Sequence, residues 1–201
     1  ERHSCLVVGE DLGTVPPEMS HAMNERSVYS YRVLLFEKHA DGRFKRTTEY
    51  PRRAIATVTT HDLPTLRGYW TASDIDLRRR LSLYPNDEVR GMVADERVRD
   101  RSALLATLQE EGLKPADCDS SADSYGPALS LAIHQFLARS SAALVVLQAE
   151  DLVGMADPVN VPGTSDEHAN WQRKMSRDVA AIFGDTEVRR LLDAVQAART
   201  R

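Results

Sequence analysis

Ala54-Ile55-Ala56-Thr57-Val58-Thr59-Thr60-His61-Asp62 decides how the rest of this chain is read. A short β-branched apolar run ends abruptly in an imidazole and a carboxylate, just before Pro64. That is the profile of a buried strand that delivers polar groups at its C-terminal end. The pattern recurs on both sides. Upstream, residues 5 to 9 read as a strand buried on both faces and closed by Gly9-Glu10-Asp11, and Tyr31 to Glu37 read as a second strand. Downstream, Ala142 to Leu147 read as a fourth strand, ending in Glu150 and Asp151. A helix is expected from about Pro17 to Glu25 between the first two strands, while Lys38 to Arg53 has a loop-like composition.

From Ser73 to about Gly112 the pattern becomes helical. Ser73, with Asp76 three residues on, suits an N-cap, Asn86 suits the cap of a longer amphipathic helix, and Gly112 a stop. Ser124 and Pro127 open a further helix, and helices are expected around Arg177 to Phe183 and Thr186 to Ala198. Apolar strands alternating with helices argue for an α/β parallel sheet. Polar and acidic residues close three of the four expected strands, which favours the active face of a (β/α)8 TIM barrel. Four strands are half of such a barrel. The rival is an open doubly wound sheet, but Gly9 and Gly13 do not make its phosphate-binding G-x-G-x-x-G.

Composition narrows the class. The chain has 201 residues, 42% hydrophobic and 28% charged, which excludes a disordered, collagenous or disulfide-scaffold protein. Twenty-six basic against 30 acidic residues leave a net charge of −4. The basic residues are scattered, so neither nucleic acid nor an anionic membrane is an expected partner. Two cysteines, Cys5 and Cys118, suit a reducing compartment, and with no apolar run long enough to span a bilayer the expected location is cytoplasmic. The sequence begins with Glu1 and enters an apolar run almost at once, so an internal or C-terminal piece of a longer protein is expected.

The candidate chemistry sits at the strand ends. Glu10 with Asp11 is an acid pair where water is expected to be partly excluded, and desolvation raises a carboxyl toward the range a general acid needs. A strand-end cap with a salt-bridge partner is the plainer alternative. His61-Asp62 could bind vicinal hydroxyls and stabilise developing positive charge on a sugar, or contribute to a metal site. His3, His21, His39, His134 and His168 supply no ligand spacing for a metal. Phe36 is either core or a platform for a sugar ring, and Trp171 either an exposed aromatic or one packed on the barrel wall. No G-x-S-x-G supports a serine nucleophile. Cys5, early in a buried strand, should be inert, and Arg78-Arg79-Arg80 reads as a solvated helix face.

As an ordered set the motifs become specific. Gly9-Glu10-Asp11-Leu12-Gly13-Thr14-Val15-Pro16-Pro17-Glu18, Arg32-Val33-Leu34-Leu35-Phe36-Glu37, Thr59-Thr60-His61-Asp62-Leu63-Pro64-Thr65-Leu66-Arg67-Gly68-Tyr69-Trp70, Leu147-Gln148-Ala149-Glu150-Asp151 and Asn160-Val161-Pro162-Gly163-Thr164 with Asn170-Trp171 together resemble glycoside hydrolase family 77, the 4-α-glucanotransferases or amylomaltases of the α-amylase clan. The likeness runs over essentially the whole chain. It implies the C-terminal half of a catalytic barrel over residues 1–201, strands five to eight, with a helical insertion at about 73–123. It also implies transfer of α-1,4-glucan segments between maltodextrins by a retaining double displacement, with no cofactor and no metal.

Carried over by motif, Glu10 matches the general acid/base and Asp62 the carboxylate that stabilises the transition state. His61 matches a sugar-hydroxyl ligand, Phe36 an acceptor-side aromatic, and Asn160 and Pro162 the acceptor-side rim. Glu10 and Asp62 should converge from neighbouring parallel strands on a common pocket. The family's nucleophilic aspartate belongs to the fourth strand, expected upstream of Glu1, so these residues alone are expected to be inactive. Self-association through exposed sheet edges is expected of such a piece. An α-amylase-like hydrolase and a non-catalytic glucan-binding module are the alternatives.

Overall fold

A computed structural model describes residues 5–200; His3 lies outside them. Three strands, β1 (Ser30–Val33), β2 (Ala54–Thr57) and β3 (Leu144–Val146), form a parallel sheet in that order. Tyr31 pairs with Ile55, and Ile55 with Leu144. On the free side of β1 a parallel bridge joins Val8 to Tyr29, so the first apolar run adds a short further stave. The helices are α1 (Pro17–Glu25), α2 (Leu66–Thr71), α3 (Ser73–Arg80), α4 (Asp87–Glu110), α5 (Pro127–Ala138), α6 (Ala149–Leu152), α7 (Val179–Gly184) and α8 (Thr186–Arg199).

Several boundaries follow the chemistry read from the sequence. Asn86 accepts the Val89 N–H at 2.8 Å and starts α4, and Gly112, at φ +67°, follows its end. Others shift. Ser73 is already inside α3, because Ala72, at φ +59°, is both the last cap of α2 and the first of α3. Gly126, not Ser124, precedes α5. The second strand stops at Val33, since Leu34–Phe36 winds into a 3₁₀ turn. Glu150 and Asp151 belong to the first turn of α6 and not to a strand end. Lys38 to Arg53 is largely a loop, held by an antiparallel bridge from Lys38 to Phe44.

The two faces of the sheet differ. Ala54, Ala56, Val58 and the partly buried Val145 pack with Leu66, Trp70, Leu104, Leu108, Ile133 and Phe136, so α2, α4 and α5 cover one face. On the other face the register aligns Tyr31 with Ile55 and Leu144, and Val33 with Thr57 and Val146. Leu144 and Val146 remain 38% and 44% exposed there. At the opposite edge Leu6, Val7 and Val8 are 50%, 56% and 39% exposed. Cys5 is exposed as well. The expectation that both outer runs are buried is therefore corrected. They are the outermost staves among the described residues, and each has a paired neighbour on one side alone.

At the far end, α8 packs along α5. The guanidinium of Arg199 donates to the carbonyls of Ala138 (3.3 Å), Ser140 (3.1 Å) and Ala143 (2.9 Å), and so ties the last helix to the link between α5 and β3.

Candidate functional site

The chain leaving β2 stays buried through Thr60 and surfaces at His61 and Asp62. Its path is fixed by polar side chains. The Thr57 hydroxyl and the Gln148 amide both donate to the Thr59 carbonyl, at 2.8 and 2.9 Å. The Asp62 N–H reaches the Thr60 hydroxyl at 3.3 Å. From far along the sequence the Asn160 amide donates to Asp62 Oδ1 at 2.6 Å, and the Asn160 N–H to the His61 carbonyl at 3.2 Å. His61 Nε2 stands 3.5 Å from Asp62 Oδ2, and its ring lies 5.1 Å from that of Trp171, tilted by 46°.

The loop carrying Asn160 is itself closed by Asn170. That side chain accepts the Val161 N–H at 2.9 Å and donates to the Thr164 hydroxyl at 2.8 Å. Trp171, at φ +63° and 62% exposed, is pinned through its N–H to the Val159 carbonyl. Further support comes from α2. A side chain at Gly68 would bring its Cβ within 2.6 Å of the Ala156 carbonyl oxygen, and the Thr65 hydroxyl donates to the Met155 carbonyl at 2.6 Å. Only glycine allows the helix this approach.

On the other side of β1, Gly9 follows the bridged Val8 and donates to the Tyr29 carbonyl at 2.8 Å. Asp11 anchors the next turn. One oxygen accepts the Tyr31 N–H at 2.8 Å and the other pairs with Arg32 at 3.0 Å, with the Asp11 side chain 3% exposed. Arg32 also lies 3.9 Å from Glu37, which Lys45 holds at 2.7 Å. Glu10 is exposed, so the water exclusion expected around it is absent in these residues. Its charge is felt by Tyr31, whose phenol is raised first by burial and then by Glu10.

Glu10 and Asp62 thus stand at the same end of a parallel sheet, on staves separated by β1 and not adjacent ones. Leu12 and Leu63, each a residue or two beyond its carboxylate, pack on one cluster of Val33, Leu35 and Tyr69. Phe36, 52% exposed, borders a cleft of about 430 Å³ together with Leu63, Pro64 and Tyr69. The floor of that cleft is polar and paired: the Tyr69 hydroxyl donates to Asp100 at 2.5 Å, Lys38 to Asp100 at 2.9 Å, and Arg97 to Asp74 at 2.7 Å. Burial, with the hydrogen bond to Asp100, holds the Tyr69 phenol far above its usual value.

The structure therefore brings His61, Asp62 and Asn160 into direct contact and sets Phe36 beside the residues that follow them. Pro162 is exposed in the same loop as Asn160. Asp11, Arg32, Asn170 and Thr59 support the site, and none announces itself by residue type alone. Among the described residues no group of three or more His, Cys, Asp or Glu could hold a metal ion.

An α/β fold that sets carboxylates, an imidazole and aromatic rings beyond the C-terminal ends of parallel strands belongs to the parallel-sheet class, whose functional groups gather at that end. Comparison with known proteins narrows this. The family described as 4-alpha-glucanotransferase, glycoside hydrolase family 77, matches residues 1–180, and the chain belongs to it. A 4-alpha-glucanotransferase of Haemophilus influenzae is 36% identical over 206 residues, covering 98% of this chain and 28% of that protein. The one from Mycobacterium bovis is 31% identical over 209 residues, 99% of this chain and 28% of its own length. The crystal structure of amylomaltase from Corynebacterium glutamicum superposes with a TM-score of 0.84 at 28% identity, over 95% of this chain and 29% of that one. The fold is shared with amylomaltase from Streptococcus agalactiae in complex with acarbose, at a TM-score of 0.62 and 13% identity. The chain spans 28% of the length of the first two curated relatives. No helix among the described residues is long and apolar enough to cross a membrane.

Proposed function

We propose that these residues form the C-terminal half of a (β/α)8 catalytic barrel of a 4-α-glucanotransferase, with the helical segment at about 73–123 as its insertion. The parallel register, the face covered by helices and the other face, left partly open at Leu144 and Val146, support this reading, since barrel interiors are filled by side chains from every stave. Glu10 is the general acid/base. It protonates the glycosidic oxygen as the donor's leaving segment departs, then takes the proton from the 4-hydroxyl of the acceptor glucan. Asp62 carries negative charge against the oxocarbenium-like transition state, oriented by Asn160, while His61 binds sugar hydroxyls beside it. Phe36 offers its exposed face to an acceptor sugar, and Asn160 with Pro162 forms the rim. The nucleophile that holds the glycosyl group between the two displacements comes from chain outside these 201 residues. Maltodextrins and other α-1,4-glucans are the substrates, in the cytoplasm, and the residues taken alone associate through their open edges.

The observation that carries the reading is the Asn160–Asp62 hydrogen bond at the exit of β2, on the same hydrophobic cluster as the turn after Glu10. The test is Glu10→Gln and Asp62→Asn in the full-length protein. Each should lower kcat for maltotriose disproportionation by about three orders of magnitude while maltodextrin affinity by calorimetry stays within about threefold. Equal losses of binding and turnover refute the assignment. Reducing-end release in proportion to turnover would make the protein a hydrolase instead. The purified 201-residue piece should not disproportionate maltotriose at all.

A further inference from the structure

Behind the His61–Asp62 corner lies a buried carboxylate that the proposed chemistry does not use. Asp151, in the first turn of α6, is 2% exposed. Its Oδ1 accepts the Leu66 N–H at 2.7 Å, and its Oδ2 accepts the Thr59 hydroxyl at 2.9 Å. Those two partners bracket His61 and Asp62, so one side chain staples both ends of the segment that carries them. Gln148, just before α6, adds its bond to the Thr59 carbonyl.

His134, wholly buried in α5, stands close enough to influence this carboxylate. Its Nδ1 lies 2.7 Å from the Ser130 carbonyl, which can only accept, so Nδ1 carries a proton; Nε2 has no hydrogen-bond partner. Burial pushes Asp151 up and His134 down, each opposed by the charge of the other. Keeping a carboxyl in such a place is costly unless its oxygens are used. Here both are, and what they hold is the loop between a strand and a helix N-terminus.

We propose that Asp151 is a positioning residue: by bridging Thr59 and Leu66 it fixes the path of the His61–Asp62 segment and so the place where the Asp62 carboxylate meets the reacting sugar. The inference rests on the reading of Asp62 given above. Small displacements of a charged group at a reacting centre are expensive, about a hundredfold in rate for roughly 1 Å.

Two nearly isosteric changes in the full-length protein test it. Thr59→Val removes one arm of the staple and keeps its shape; Asp151→Asn keeps the bulk and replaces one acceptor by a donor. Each should lower kcat about tenfold with KM within about twofold. The decisive readout is a double-mutant cycle with Asp62→Asn, run with an activated glycosyl fluoride donor so that residual rates stay measurable. In the Asp62→Asn background neither change should lower kcat further. Undiminished kcat in a folded Thr59→Val protein, a rise in KM alone, or losses that add in the cycle would overturn the positioning role. Should Asp151→Asn fail to fold, Thr59→Val carries the test. Wild-type kcat in Asp62→Asn itself would instead overturn the reading of Asp62, and the inference with it.

Discussion

Glu10 and Asp62 occupy the same end of one sheet in unlike surroundings. Asp62 leaves a central strand with neighbours on both sides, and its segment is held locally by Thr60 and, from two other parts of the chain, by Asn160 and by Gln148 with Asp151. Glu10 leaves an outer stave whose apolar residues are about half exposed, and the turn after it is held to β1 through Asp11. The difference teaches that placement at a strand end brings a carboxylate to the site, whereas how firmly it is held depends on how many elements close around it.

The sharpest way to break the comparison is through packing. Trp70, fully buried behind β2, should cost about 3–5 kcal/mol as Trp70→Ala, while Leu6→Ala, at a residue 50% exposed here but on an edge that the rest of the proposed barrel covers, should cost about 2–3 kcal/mol, both by urea unfolding of the full-length protein. A loss below about 1 kcal/mol at Leu6 would mean that nothing else in the protein buries this edge. Next come the tethers. Asp11→Ala cuts the hold on the Glu10 turn and should lower kcat about a hundredfold, whereas Asn160→Ala removes one of several holds on the Asp62 segment and should lower it about tenfold. The reverse order in steady-state kinetics would refute the count of tethers.

The smallest effect concerns the packed side in alkali. Burial pushes the Tyr125 phenol from 10.0 up to about 12. A raised tyrosine is protonated in both folded and unfolded chains below pH 10, so its contribution is complete there and is lost as pH climbs from 10 toward 12. Relative to Tyr125→Phe, the wild type should therefore lose about 1 kcal/mol more stability per pH unit over that interval, by urea titration at stepped pH. A constant difference between the two proteins would show that the phenol ionises alike in both states.

Much of the fold was legible because apolar runs and caps act locally. The runs around Val8, Val33, Ala56 and Val145 all become paired staves, and Asn86 and Gly112 bound α4 as read. The burial of the outer runs is not legible, since an apolar run looks the same whether or not a neighbour lies on its far side. Ser73 misled for a similar reason: it has the chemistry of a cap, but Ala72 takes the left-handed turn that lets α3 begin a residue early. At the site, His61 and Asp62 stand out as a polar break after a strand, while Asn160, 98 positions from Asp62, is reached through family likeness alone. Asp151 reads in the sequence as an acid at a strand end. Its role as a staple depends on the Thr59 hydroxyl and the Leu66 amide, which no periodicity reveals.

The Arg199 contacts have a practical side. Three carbonyl oxygens, one at the end of α5 and two on its link to β3, share a single guanidinium, that of the last helical residue of α8. A shortened clone stopping before it would leave those oxygens to solvent and loosen the outer helix from the strand that precedes Asp151.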